Sequence, residues 1–386
     1  MSETAVKTKP KITLIYSDYH PVSSGTGNST VSTAKALFDA GCAIDVITCR
    51  QTRDLPRYEV INGIRVHRIL SWTLFGSRKL AIFSFFLWEW VTLIRTLALI
   101  KPDYVVGMML FFGCMADIPK RLFGYKSVSM ARGSDVDEVI SPLQKFTVTW
   151  ALRHCDIIVT ITTDFKNKMQ RRVPREDIHL IPSPIEERDV TVGESPCVFA
   201  PGFLHAVGIG RMIVTNNLET KGMAFAIRAV ARTPQYQLHL LGDGPYRPTL
   251  EALVDELGVR DRVRFYGTVS HEALCGAMKA ADVLLFPSQA EGMARTVLEA
   301  AYLGLPIITT PIGGQRDYLV EGESVLFVKP GNVDSICRAL EVFAASPQLR
   351  RRMAEAGKTL VAGQFSYEVF SRRFEEILAS AGTPGK

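Results

Sequence analysis

The sequence predicts an α/β protein made of two doubly wound, mostly parallel sheets. Three observations carry that prediction. The chain has 386 residues, and at roughly 100–200 residues per domain this suggests two domains. Short β-like runs alternate with helix-length segments through both halves, the rhythm of successive βαβ units. Between the halves, residues 182–196 carry three prolines, clustered acids and no apolar period, so they read as a linker.

In the first half the strand candidates are 12–16, 44–48, 64–69, 104–106, 127–130 and 157–161, each a short run rich in Ile, Val and other apolar residues. Helical segments at 29–40, 81–100 and 142–154 fall between them. The second half repeats the pattern with strands at 212–215, 237–241, 262–266, 283–286, 307–309 and 325–328, and helices at 224–231, 247–256, 271–280, 295–303 and 335–345. Ser366 reads as the N-cap of a last helix whose Phe370, Phe374, Ile377 and Leu378 share one face. Residues 1–10 are polar and lysine-bearing and do not read as a secretory signal. The run 81–100 has about the ~20 residues of a membrane span. Glu89 and Arg95 inside it would each cost roughly 2.5–3.5 kcal/mol near a bilayer centre, which argues against spanning. Two readings stay open: a buried helix, or a helix lying on a membrane surface with Trp72, Trp88, Trp90, Arg78 and Lys79 beside it.

Composition narrows the classes. Hydrophobic residues make up 47% and charged residues 22% of the chain, which excludes disorder, collagen-like repeats and a small disulfide scaffold. Seven cysteines with no CxxC pair fit free thiols in a reducing, cytoplasmic compartment. The net charge is +6, and the first 190 residues hold 25 Lys+Arg against 19 Asp+Glu. The whole excess lies in the first half, which is where an anionic partner or membrane surface would meet the protein. Without a basic stripe or a recognised module, it does not point to nucleic acid.

Ligands of doubly wound sheets bind beyond the carboxyl ends of the strands, so the loops there are the place to look for chemistry. After the first strand comes His20, then Gly25-Thr26-Gly27 before a helix. Such glycines let backbone N–H groups approach a phosphate at a helix N-terminus, although the third glycine of a dinucleotide fingerprint is absent. Gly242-Asp243-Gly244-Pro245 forms a second tight turn. The most specific segment is 286–301, where Glu291 precedes a helix and Glu299 lies inside it. Two carboxylates eight residues apart can grip hydroxyls of one polar ligand, while the amides of Gly292, Met293 and Ala294 meet an anion between them. The alternative places Glu299 on a solvated face and makes Glu291 a first-turn acid that suits the helix dipole.

From Lys221-Gly222 to Ser366 the sequence resembles the C-terminal domain of glycosyltransferase family 4, the retaining GT-B enzymes. The matching residues are Lys221-Gly222, Gly242-x-Gly244-Pro245, Val263-x-Phe265-x-Gly267, Ala281-Asp282-Val283, Pro287-Ser288, Glu291-Gly292-Met293 through Glu299-Ala300, Gly304-Leu305-Pro306 and Thr310-Pro311-Ile312-Gly313-Gly314. The first half resembles the family more loosely, through Gly25, Leu37-x-x-x-Gly41 and Ile181-Pro182. The resemblance implies a GT-B fold: two Rossmann-like domains facing a central cleft. Residues 1–185 would bind the acceptor, 186–365 the nucleotide-sugar, and 366–386 would form a helix packing back on the first domain.

By the same resemblance Glu299 would bind the ribose hydroxyls. Glu291 would hold the transferred sugar, with Gly292, Met293 and Ala294 beside it. Lys221 would neutralise the diphosphate, and Gly25, Thr26, Gly27, Gly242 and Gly244 would close on the donor. Two positions depart from the family pattern. Asn216 stands where an arginine usually precedes the lysine by five, so Arg211 or Arg295 has to supply that charge at the donor. Arg132 replaces a histidine, cannot accept a proton, and would instead bind a phosphate or an acidic acceptor near His20 and Asp135. A surface ion pair of Arg132 with Asp135 or Asp137 is the plainer reading of that position. No metal or cofactor is expected. The function implied is a metal-independent retaining glycosyltransferase that passes sugar from a nucleoside diphosphate to a lipid-linked or polysaccharide hydroxyl, in the cytoplasm or at the inner membrane face. The alternative is a degenerate GT-B protein that binds nucleotide or glycan without turnover.

Overall fold

The structure is a computed structural model that describes residues 9–21, 25–70, 89–133, 136, 141–215, 218–380 and 382. Asp135, Asp137, Asn216, Trp72, Arg78, Lys79, Trp88 and residues 81–88 of the aromatic run lie outside the described residues. The chain divides into two compact units, one reaching Pro184 and resuming at Tyr367, the other spanning Ile185–Ser366.

In the first unit, β1 (Lys11–Ile15), α1 (Gly25–Asp39), β2 (Ala43–Cys49), β3 (Tyr58–Ile61), β4 (Ile64–Leu70), α2 (Trp90–Ile100), β5 (Tyr104–Gly107) and α3 (Leu110–Asp117) come first. They are followed by α4 (Lys120–Phe123), β6 (Lys126–Ala131), α5 (Pro142–His154), β7 (Ile157–Thr160), α6 (Thr163–Arg172) and β8 (Ile178–Leu180). The eight strands lie in the order β3-β4-β2-β1-β5-β6-β7-β8. All pairs are parallel except the β3–β4 edge. Helices on both faces explain why β1, β5 and β7 are almost continuously apolar and buried. The edge strand β3 alternates exposed and half-buried residues, too weak a pattern to stand out in the sequence. In α2, Leu93, Leu97 and Ile100 enter the core while Leu99 is 84% exposed. No described helix is long and apolar enough to cross a membrane.

The second unit contains β9 (Leu204–Ile209), β10 (Val214–Thr215), β11 (Leu218–Glu219), α7 (Met223–Arg232), β12 (Tyr236–Leu241), α8 (Arg247–Glu256) and β13 (Val263–Gly267). It continues with α9 (His271–Ala280), β14 (Val283–Phe286), α10 (Arg295–Tyr302), β15 (Ile307–Thr309), α11 (Gly314–Tyr318), β16 (Leu326–Phe327), α12 (Val333–Ala345) and α13 (Pro347–Phe365). Its main sheet has six parallel strands, in the order β13-β12-β9-β14-β15-β16. The strand order therefore reverses between β9 and β14, which is the topological switch point of this sheet.

One sequence expectation is corrected here. Residues 212–215 do not supply a strand of the main sheet; they end in a two-residue arm of the antiparallel β10–β11 hairpin. The central strand is β9, whose apolar signal is diluted by His205 and Gly208. Gly208 is required because a Cβ there would stand 2.8 Å from Leu240 Cδ2.

His205 is satisfied by a buried relay. Its Nε2 lies 3.1 Å from the Ala200 carbonyl and its Nδ1 3.1 Å from His239 Nε2. His239 Nδ1 lies 3.0 Å from Tyr266 Oη, which accepts the Val198 N–H at 3.2 Å. Both ends of the relay are backbone groups of the segment leading into β9. With both rings neutral, donor and acceptor roles can be assigned in one way only, because the end groups are a fixed donor and a fixed acceptor. Burial pushes His239 down to about 4.

The last helix, α14 (Tyr367–Ser380), packs in the first unit. Tyr367, Phe370, Phe374 and Leu378 join the core of Ile12, Leu14 and Leu37, and Lys9 Nζ meets Glu375 Oε1 at 2.5 Å. All seven cysteines are buried and none is in a disulfide.

Candidate active site

The switch point of the second sheet is built from four loops, each following the carboxyl end of a strand. Gly210 follows β9, Gly242 follows β12, Pro287–Glu291 follow β14, and Thr310–Gly313 follow β15. Glycine is needed where these loops touch. A Cβ on Gly222 (φ +71°) would stand 1.9 Å from the Pro287 carbonyl oxygen, and one on Gly313 (φ +52°) 2.1 Å from that of Gly292. Gly242 and Gly244 are explained in the same way, since their Cβ atoms would meet Gly210 O at 2.0 Å and Met212 O at 2.3 Å. Their residue type is thus fixed by loop-on-loop packing.

Lys221 sits between the β10–β11 hairpin and α7. Its ammonium pairs with Glu291 Oε1 and lies 5.4 Å from the centre of the Phe286 ring. Ser288 Oγ lies 3.0 Å from the same carboxylate oxygen and 2.5 Å from the Thr220 carbonyl, which is the nearer acceptor for its single hydrogen. Both charged side chains are mostly shielded from water, where a cation–carboxylate interaction is stronger than at an open surface. Glu219, just upstream, accepts the Met223 and Ala224 amides at 3.0 and 3.2 Å and so caps α7. Desolvation raises its pKa.

Glu299 is only 4% exposed, which rules out the solvated face that the sequence left open. Its Oε1 receives Arg295 Nε at 3.0 Å and lies 3.1 Å from His271 Nε2. Arg295 Nη2 is 3.7 Å from Asp189 Oδ2. The neighbouring Cys275 sulfur and the Glu299 carboxylate push His271 up to about 10, so its ring carries a positive charge at neutral pH. Gly292 to Ala294 lead directly into α10, with Ala294 at its N-cap. Met293 packs on the core of this unit, and the Gly314 amide donates to the Gly292 carbonyl at 2.6 Å. Of the two arginines named to replace the missing cation at 216, Arg295 is turned to Glu299, while Arg211 is exposed immediately after β9.

The second unit therefore sets Lys221 and Glu291 together on the loops of the switch point, with Gly292, Met293 and Ala294 leading into α10, which carries Arg295 and Glu299. Gly25, Thr26, Gly27, His20 and Arg132 belong to the first unit. Gly25 to Gly27 begin α1, and His20 is exposed, with its carbonyl accepting Arg68 Nη2 at 2.7 Å. Arg132 is 7% exposed and donates to Ser183 Oγ at 2.7 Å and Thr33 Oγ1 at 2.9 Å. It is a buried cation and not a surface one, because these two hydroxyls draw it inward. Sequence reasoning missed His271 and Asp189, whose partners lie far along the chain. Gly222 and Ser288 stand in the matched pairs Lys221-Gly222 and Pro287-Ser288, but no role was assigned to them. Among the described residues no group of three His, Cys, Asp or Glu is placed to hold a metal ion.

Two family profiles match the chain: glycosyltransferase family 4 over residues 23–188 and glycosyl transferases group 1 over residues 211–360. The lipopolysaccharide core biosynthesis glycosyltransferase LpsE of Rhizobium meliloti is 37% identical over 163 residues, 42% of this chain and 47% of that protein. The alpha-D-kanosaminyltransferase of Streptomyces kanamyceticus is 26% identical over 64% of this chain and 66% of its own length. The chain thus spans between about half and two thirds of these curated relatives. Among solved structures, sucrose-phosphate synthase from Thermosynechococcus elongatus superposes with a TM-score of 0.78 over 96% of this chain and 99% of that one, at 20% identity. HepE of Anabaena in complex with UDP-glucose superposes at 0.73 over 96% and 100%, at 15% identity.

Two Rossmann-like parallel sheets, the second with an acid pair and a lysine at its switch point, define the GT-B class of fold. The chain belongs to the family 4 type of GT-B glycosyltransferases.

Proposed function

We propose that the protein is a retaining, metal-independent glycosyltransferase that uses a nucleoside-diphosphate sugar and a hydroxyl of a lipid-linked or polysaccharide acceptor. The observation that carries the reading is the cluster at the switch point, where Lys221, Ser288 and Glu291 meet in one place and the buried Glu299 stands on the helix that follows. In this reading Lys221 takes the diphosphate, Glu291 turns to the hydroxyls of the transferred sugar, and Glu299 accepts from the ribose. Arg211 adds the cation that position 216 lacks. The sugar–phosphate C–O bond breaks, the acceptor oxygen bonds to the same carbon from the same face, and its proton passes to the departing phosphate oxygen. Lys221 meets charge that grows on that phosphate, where a prepositioned cation is most effective. Arg132 serves the acceptor side.

The name of LpsE, a lipopolysaccharide core enzyme, favours a cell-envelope glycan as acceptor and action at the inner membrane face. The test is a thermal-shift screen of UDP-, GDP- and ADP-sugars with and without EDTA, followed by determination of the product anomer. A donor present at 100 times its Kd adds about 2.7 kcal/mol of stability. One donor class should raise the melting temperature, and turnover should survive EDTA with the anomeric configuration kept. If no nucleotide-sugar stabilises the protein, the reading falls. A strict divalent-ion requirement or an inverted anomer would overturn that part of it alone.

A further inference from the structure

We infer that His271 and Arg295 are positioning residues for the ribose-binding acid: together they fix Glu299 through one carboxylate oxygen and leave the other to select ribose over deoxyribose. The inference rests on the reading of Glu299 as the ribose acceptor and adds the two residues that hold it. Three observations carry it. Both cations converge on the same atom, Oε1, at 3.1 and 3.0 Å, so Oε2 is what remains for a ligand hydroxyl. Glu299 is 4% exposed, and a carboxylate that deeply buried persists as an anion only when paired. The cations are themselves held. Arg295 lies one helical turn before Glu299 and reaches back to Asp189. His271 opens α9 behind the Ser270 N-cap, with Cys275 one turn on, its Sγ 3.9 Å from the ring.

The chemistry follows from the geometry. An unbraced glutamate has three rotatable bonds and would lose that freedom on binding. Two charge-assisted hydrogen bonds to one oxygen remove the freedom beforehand. The charges of Glu299, Arg295, His271 and Asp189 sum to zero, so the cluster presents a directed acceptor without adding a net negative field against the nucleotide's phosphates. Cys275 and Glu299 push His271 up to about 10, so in alkali the brace weakens from a charged donor to a neutral one.

The readout is the ratio of dissociation constants for 2′-deoxy and ordinary UDP, GDP and ADP, measured calorimetrically. Taking the ratio cancels titration of the base and the phosphates. The wild-type protein should prefer the ribonucleotide about tenfold, the size of one charge-assisted hydrogen bond. His271→Ala should bring the ratio within about twofold of one, and His271→Gln, which keeps a donor without the charge, should restore part of it. In the wild-type protein the ratio should hold from pH 6 to 8 and decline towards pH 10, a measurement that needs no variant to fold. An unchanged ratio in folded His271→Ala, or a ratio flat to pH 11, would sink the positioning role. A wild-type protein indifferent to the 2′-hydroxyl would instead remove Glu299 from the ribose, and the inference with it.

Discussion

The two sheets place the same kind of strand crossing at their centres and finish it with opposite chemistry. In the first unit the order reverses between β1 and β5, and among the described residues there Tyr16, Tyr19, Met108 and Phe112 are buried, with Arg132 held by Thr33 and Ser183. In the second unit the reversal between β9 and β14 is finished by glycine-packed loops that hold Lys221, Ser288 and Glu291, with Glu299 on the helix that follows. Topology supplies a place beyond the strands; the loops decide what can bind there. One unit is finished as apolar core around a tethered cation, the other as a charged cradle.

Substitution at the cradle should have the largest effect. Lys221→Ala is expected to lower turnover by roughly 10²–10³-fold while weakening nucleotide affinity much less, as for other groups that meet developing charge. Equal losses in rate and affinity would reduce Lys221 to a ground-state ligand. Next in size is a pair of glycines. Gly222→Ala combines a left-handed backbone with a Cβ 1.9 Å from a carbonyl oxygen, whereas Gly202 (φ +87°) has open space around it. Chemical denaturation should show about 1–2 kcal/mol lost in Gly202→Ala from backbone strain and clearly more in Gly222→Ala. If the two variants lose the same, loop packing does not explain the cradle's glycines. Arg132→Met tests the other side of the comparison. It should cost about 1–3 kcal/mol of stability by removing the donor that two buried hydroxyls accept, with nucleotide affinity unchanged; a parallel loss of affinity would bring Arg132 into the donor site.

Stability should also depend on pH, and the second unit is bounded from both sides. His239 is lowered to about 4 by burial, so in the pH range below 6.5 the unfolded chain binds a proton that the folded one refuses. Its contribution is complete above about pH 6.5 and is lost as pH falls towards 4. His271 is raised to about 10 by Cys275 and Glu299. Its contribution is complete below about pH 6.5 and is lost as pH rises through 10. Melting curves for His239→Gln and His271→Gln should accordingly lose the acid and the alkaline arm, respectively. A wild-type profile flat from pH 4 to 10 would contradict both.

Much of this was legible in the sequence because it is local. The 286–301 segment keeps its acids eight residues apart on a loop and the helix that follows, so spacing marked the segment, and the family resemblance then chose between a ligand grip and a solvated face. Parallel strands buried on both faces announced themselves as apolar runs. What the sequence hid depends on distant partners. β9 was passed over because His205 looks out of place in a core until His239, 34 residues on, provides its hydrogen bond. His271 and Glu299 are 28 residues apart, and no periodicity links them. Arg132 looked like a surface cation because its two hydroxyl partners lie 99 and 51 residues away.

The relay beneath β9 carries a consequence for where hydrogens sit. Its ends, the Val198 amide and the Ala200 carbonyl, cannot exchange roles, so the order of protons between them is dictated from outside. Tyr266 must give its hydroxyl hydrogen to His239, His239 must give one to His205, and His205 must give one to Ala200. Both rings are thereby held as the Nε2–H tautomer, a state that nitrogen chemical shifts read directly. The chain of rings resembles a proton wire but has no vacancy through which a proton can move. It is an insulator, and its orderliness keeps the segment leading into β9 fastened to the sheet.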